Sequence, residues 1–164
     1  MPMTDALLPE FDREMATTRK LLERVPGDNL AWKPHAKSMT LGRLASHLAE
    51  LPGWVASIVN ESSFNMTGNP PSPESPSLPD ILAMFDKNVA TARKTIAAKT
   101  DAEFLSPWTL KREGRDMFTM PKVSVVRNFL LNHSIHHRGQ LSVYLRLNDV
   151  PLPSIYGPSA DERG

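Results

Sequence analysis

The 164-residue chain contains no cysteine. Disulfides, thiolate metal ligands and a cysteine nucleophile are thereby excluded, and any thiol chemistry needs a thiol from outside. An excess of charge is equally absent, because 19 Lys and Arg stand against 18 Asp and Glu. Without a basic face there is nothing to draw a phosphate backbone or an anionic bilayer, so nucleic acid is not expected as a partner. Long apolar runs are also missing. The stretch 123–131 is broken by Ser124, Arg127 and Asn128, and no segment is expected to span a membrane. The opening MPMTDALLPEFDREM has acidic residues where an export signal needs a basic start, which makes the cytoplasm the expected location.

What is present is helical periodicity. The length suits one domain over residues 1–164, large enough for a core without staples. Leu7, Leu8, Phe11, Met15, Leu21, Leu22 and Val25 recur at steps of three and four, predicting a first helix over 5–25 that Pro26-Gly27 ends. Residues 28–38 read as a loop. Thr40 can cap a second helix bearing Leu41, Leu44, Ala45, Leu48, Leu51, Trp54, Val55 and Ile58, with a bend or break at Pro52. Residues 60–79 hold five prolines among Ser, Asn and Gly, the composition of an extended linker. A second helix of roughly 30 Å is shorter than that linker's reach, so helices two and three can run parallel. A third helix is expected over 80–98. Around Glu113-Gly114, a short alternation of Trp108, Leu110, Phe118 and Met120 predicts a small hairpin or lid. Pro121 then opens a fourth helix over 122–147, and the tail from 151 is a loop. The expected fold class is an all-α four-helix bundle.

Three histidines fall on interior stripes. On a helical wheel His133 and His137 lie about 40° apart, with Val126, Leu130 and Tyr144 within about 60° of His133. His47 shares the stripe of Leu44, Leu51 and Val55. A pair at i, i+4 lets two imidazoles on successive turns reach one ion, but the glutamate of a zinc peptidase motif is absent here, the intervening residues being Ser134, Ile135 and His136. One histidine on an apolar stripe is more often a hydrogen-bonded core residue than a ligand. Three change the balance, since each unpartnered buried polar group costs roughly 2 to 7 kcal/mol and one shared ion satisfies all of them. Neutral imidazoles without a thiolate suit Zn²⁺ or Ni²⁺ and leave positions open for water or substrate. Gln140, about 20° from His133, is placed to orient a ligand. His136 falls at the rim, and Arg138, near 140°, falls on the outer surface with Arg127 and Arg146. His35 reads as a surface loop residue. Trp32, Trp54 and Trp108 read as core anchors or the lining of a pocket mouth. No residue is assigned a catalytic role.

The segments LGRLASHLAELPGW and NHSIHHRGQLSVYLR, with NLAWKPH and DVPLPSIYGPS, resemble the DinB-like (YfiT-like) metalloenzymes along nearly the whole chain. The resemblance implies an up-down-down-up bundle, often dimeric, in which His47, His133 and His137 hold a divalent metal. It also implies a thiol-dependent transferase or isomerase activity on a small electrophile, with a low-molecular-weight thiol as cosubstrate. The alternatives are a metal-dependent hydrolase, a non-catalytic metal-stabilised homodimer that acts by interaction, and a haem bundle with two axial histidines.

Overall fold

A computed structural model of the chain describes residues 1–68 and 77–163. Helix α1 (Met3–Leu22) buries Leu7, Phe11, Met15, Leu21 and Leu22, the apolar set at helical spacing. Helix α2 (Leu41–Glu50) starts where the Thr40 side chain accepts from the Arg43 amide, satisfying a donor that the first turn leaves orphaned. Pro52 has no amide hydrogen to continue that ladder, and the chain tightens into a 3₁₀ turn (Leu51–Gly53) before resuming as α3 (Trp54–Asn60). Helix α4 (Leu78–Ala97) is capped by Ser77, and the short α5 (Asp101–Leu105) by a reciprocal Thr100–Glu103 capping box.

The expected all-α, up-down-down-up four-helix bundle is corrected by a three-stranded mixed sheet in the order β1-β2-β3. Strands β2 (Pro107–Arg112) and β3 (Arg115–Pro121) form an antiparallel hairpin. Its two-residue turn puts Glu113 at φ 50° and Gly114 at φ 79°, the left-handed pair that matches the twist of a tight hairpin. Strand β1 (Ser63–Met66) pairs in parallel with the other edge of β2. This strand comes from the stretch read as a linker. The edge of β2 is what recruits it: the Thr109 amide donates to the Ser62 carbonyl (2.9 Å) and the Glu113 amide to the Met66 carbonyl (3.0 Å). Side chains reinforce the pairing, with the Gly114 amide on Asn65 Oδ1 (3.0 Å) and the Gly68 amide on Glu113 Oε1 (2.6 Å). The remainder of the linker, 69–76, lies outside the described residues.

The last helical stretch is not uniform either. It begins as α6 (Lys122–Val126), widens into a π segment (Arg127–Asn132) and returns to the α form as α7 (His133–Leu147). A π turn carries an extra residue and rotates everything that follows it relative to a straight α-helix. Helix α7 packs on both α1 and α2. Its buried residues Ser134, His137, Arg138, Leu141 and Leu145 form the stripe that faces them. The core joins Phe11, Met15, Leu44, Leu48, Leu51, Phe85, Leu130 and Leu141, all nearly inaccessible. Among the described residues, no helix is long and apolar enough to cross a membrane.

Candidate metal centre

Helix α2 delivers His47 from its last turns, while His133 opens α7 and His137 follows one turn later. The three side chains meet. His133 Nε2 lies 3.4 Å from His47 Nε2 and 2.8 Å from His137 Nε2, and one nitrogen from each ring can be chosen so that all lie within 4.8 Å of one another. His47 and His137 are only 9% and 6% exposed; His133 is half-buried, so the cluster reaches the surface on one side.

Two of the rings are held from behind by a side-chain oxygen. His47 Nδ1 faces Glu50 Oε2 at 3.3 Å, and His137 Nδ1 faces Gln140 Oε1 at 2.7 Å. The backbone of Phe129 acts on His133 in the direction that favours a proton on its ring, while His133 Nε2 is turned to the other two rings. The His133 amide donates to the Leu130 carbonyl.

The side-chain partners fix two of the tautomers. Facing oxygens with no hydrogen to give, Nδ1 of His47 and of His137 carries the proton and Nε2 of each presents a bare lone pair. The Nε2 atoms of His47 and His137 thus bring lone pairs towards His133 Nε2. A cation would satisfy all three nitrogens at once. With metal–nitrogen bonds of about 2.0–2.1 Å, ligands at tetrahedral angles sit about 3.3–3.4 Å apart and at right angles about 2.9 Å apart. The His47–His133 and His133–His137 separations are of that size, so the donor set fits a divalent ion. Protonation states agree. Burial, helped by neighbouring His137 and Arg43, pushes His47 down to about 4; burial, with His137 and His47 beside it, does the same to His133. His137 is lowered chiefly by burial, against the Gln140 bond. All three are neutral near pH 7, the form that binds metal.

Around the cluster stand Trp54, whose ring centre is 5.7 Å from that of His47 and 5.8 Å from that of His133, and exposed His136, 4.9 Å from His137. The 3₁₀ turn at Pro52 leads directly into Trp54 and brings it to the mouth. The other two tryptophans lie elsewhere, Trp32 edge-on to Tyr144 and Trp108 against Phe118. His35 is an exposed loop residue.

The sequence reaches the same conclusion on kinship. Residues 1–163 match the DinB family. The chain belongs to the DinB family. This DinB-family protein is 26% identical over 158 residues to the uncharacterized protein YrdA of Bacillus subtilis (strain 168), an alignment covering 96% of this chain and 90% of the relative. It is 23% identical over 157 residues to the uncharacterized protein YjoA of the same organism, covering 93% and 96%. Among solved structures, a DinB-like protein from Bacillus cereus ATCC 10987 superposes with a TM-score of 0.72 at 22% identity, covering 94% of this chain and 98% of that one. Bacillus subtilis YjoA superposes with a TM-score of 0.67 at 18% identity, covering 95% and 98%. At such identities the superpositions speak for the fold alone.

Two features of the DinB-family chain were not read from its sequence. Arg138, expected on the outer surface, is 1% exposed. Its guanidinium donates to Glu14 Oε2 (2.7 Å), the Glu14 carbonyl (3.0 Å), Thr18 Oγ1 (3.3 Å) and the Tyr156 hydroxyl (2.6 Å). A helical wheel drawn through 122–147 as one α-helix misses this because the π segment shifts the phase of Val126 and Leu130 relative to α7, whose own buried stripe of Ser134, His137, Leu141 and Leu145 includes Arg138. Arg127 and Arg146 do lie outside, paired with Glu10 and Asp161. The second omission is the Arg43–Glu50 pair behind His47. Its signal was the spacing: 43, 47 and 50 share one helix face.

Proposed function

We propose that this DinB-family protein is a metal-dependent enzyme in which His47, His133 and His137 hold one divalent ion, zinc or nickel, and which joins a low-molecular-weight thiol to a small electrophile. The observation that carries the reading is the convergence of three imidazole nitrogens at a partly open position, two of the rings being fixed by a side-chain oxygen behind them. When bound, a divalent ion there supplies Lewis acidity, lowering the pKa of a thiol or a water so that the nucleophile forms near neutral pH.

The chain's own residues orient and enclose. Glu50 and Gln140 hold the His47 and His137 imidazoles in the ligating tautomer, which limits the reorganisation needed when the ion arrives. Trp54 offers an apolar ledge beside His47 and His133, suited to the hydrocarbon part of a small substrate. One observation favours the thiol over the hydrolytic alternative. Glu50 stands on the Nδ1 side of His47 and is clamped by Arg43, facing away from the Nε2 side where a general base would have to act on water. A thiol nucleophile must come from outside, as the chain has no cysteine.

The test is to load the purified protein with zinc or nickel and supply glutathione, bacillithiol or mycothiol with an alkyl electrophile. Metal-dependent consumption of one thiol, abolished in His137→Ala, is expected. Metal-dependent ester or amide hydrolysis without thiol consumption would replace this reading with a hydrolase. Bound metal with neither activity would replace it with a non-catalytic role.

A further inference from the structure

Of the two side-chain oxygens behind the imidazoles, one belongs to an anion. Gln140 contributes a neutral carboxamide to His137, whereas His47 has the carboxylate of Glu50 at 3.3 Å. That carboxylate is itself gripped. Arg43 Nη1 lies 3.2 Å from Oε1, and Arg43 Nη2 lies 3.3 Å from Oε2. The Glu50 and Arg43 side chains are only 16% and 17% exposed, so the contact is shielded from the screening that makes surface pairs weak. Helix geometry keeps the row in place: Arg43 is four residues before His47 and Glu50 three after, one above the other on α2.

Resting on the metal reading above, we propose that Glu50 is a positioning residue that makes His47 the strongest of the three ligands, with Arg43 holding the carboxylate in line. A carboxylate accepting the Nδ1 hydrogen fixes that proton away from the ion's side and pushes electron density across the ring onto Nε2. A neutral oxygen fixes the tautomer but polarises the ring less. His47 is also the one ligand that α2 supplies, so the Glu50 contact governs how firmly α2 is tied to α7 through the ion.

The test is competitive zinc titration of the wild type, Glu50→Ala, Glu50→Gln and Gln140→Ala against a chromogenic chelator. It is paired with ¹⁵N NMR of the histidine side chains in the chelated protein. Glu50→Ala is expected to weaken zinc binding about 10- to 100-fold and to shift His47 away from the Nδ1-protonated tautomer. Glu50→Gln, which keeps an acceptor oxygen but loses the charge, is expected to lie between Glu50→Ala and the wild type, and Gln140→Ala to lose less than Glu50→Ala. Should Glu50→Ala not fold, Glu50→Gln carries the comparison alone. A purely structural role for the Arg43–Glu50 pair would lower the melting temperature of the chelated protein and leave the zinc Kd unmoved. A wild-type Kd in a folded Glu50 variant overturns the inference while leaving the three-histidine site standing. Failure of the wild type to bind zinc or nickel overturns both.

Discussion

Arg138 and Glu14 form an ion pair at 2.7 Å with side chains only 2% and 5% exposed, joining α7 to α1 in the interior. The Tyr156 hydroxyl donates to the same Glu14 oxygen at 2.7 Å and so ties the C-terminal tail to that pair. Removing one partner of such a pair strands a buried charge, which costs about 3–5 kcal/mol. Arg138→Met is therefore expected to lower the unfolding free energy by that order in urea denaturation. The double variant Arg138→Met/Glu14→Leu is expected to recover most of the loss, because it buries no charge. Equal instability of the double variant would mean the pair supplies net stability beyond mutual neutralisation.

Trp54 provides a spectroscopic reporter. Its ring lies 5.7 Å from that of His47 and 5.8 Å from that of His133, within reach of quenching by an open-shell ion on the histidines. Nickel added to the apo protein is expected to quench part of the tryptophan emission saturably, and Trp54→Phe to remove that quenching while leaving nickel affinity within a few-fold. Undiminished quenching in Trp54→Phe would put the ion elsewhere.

The spacing of His47, His133 and His137 on apolar stripes was legible because burial on a helix repeats every three or four residues, and the structure brings those three together. Gln140, read as lying on that stripe beside His133, is an exposed residue whose oxygen faces His137 instead. Strand β1 was not legible. Ser63–Met66 is four residues long, too short for alternation to stand out, and it pairs in parallel with a distant strand that nothing local announces. Arg138 was misplaced because a wheel assumes one uniform helix, whereas the Arg127–Asn132 π segment resets the phase before α7 begins. Glu50 was legible in principle at three residues from His47. An acidic residue at a helix end ordinarily reads as a solvated surface group, and only the neighbouring Arg43 marks it as held.

The histidine cluster sets an acid limit on the metal-free protein. In the folded chain His47 and His133 are pushed down to about 4 from an ordinary 6.5. Between those values the unfolded chain binds the protons that the folded chain refuses, so stability falls as pH drops through this window and is fully present above it. The chelated protein is expected to melt at progressively lower temperature from pH 6.5 towards pH 4. His133→Leu, with one such group fewer, should show a shallower decline. An equal or steeper decline in His133→Leu would contradict neutral imidazoles in the folded cluster.

Metal should stabilise the fold by mass action, since the unfolded chain scatters its histidines. At a hundred times its Kd, an ion bound only to the folded state adds about 2.7 kcal/mol. Zinc is expected to raise the melting temperature, a chelator to reverse it, and His47→Ala, His133→Ala and His137→Ala each to suppress the effect. A full zinc shift in any of these variants would mean that the substituted histidine is not a ligand.

X-ray absorption at the zinc edge, on protein loaded with one equivalent, counts the imidazoles on the ion directly. A single three-histidine centre requires three imidazole shells at about 2.0–2.1 Å, falling to two in His47→Ala. Two or fewer imidazoles in the wild type, or an unchanged spectrum in His47→Ala, would contradict an ion shared between α2 and α7.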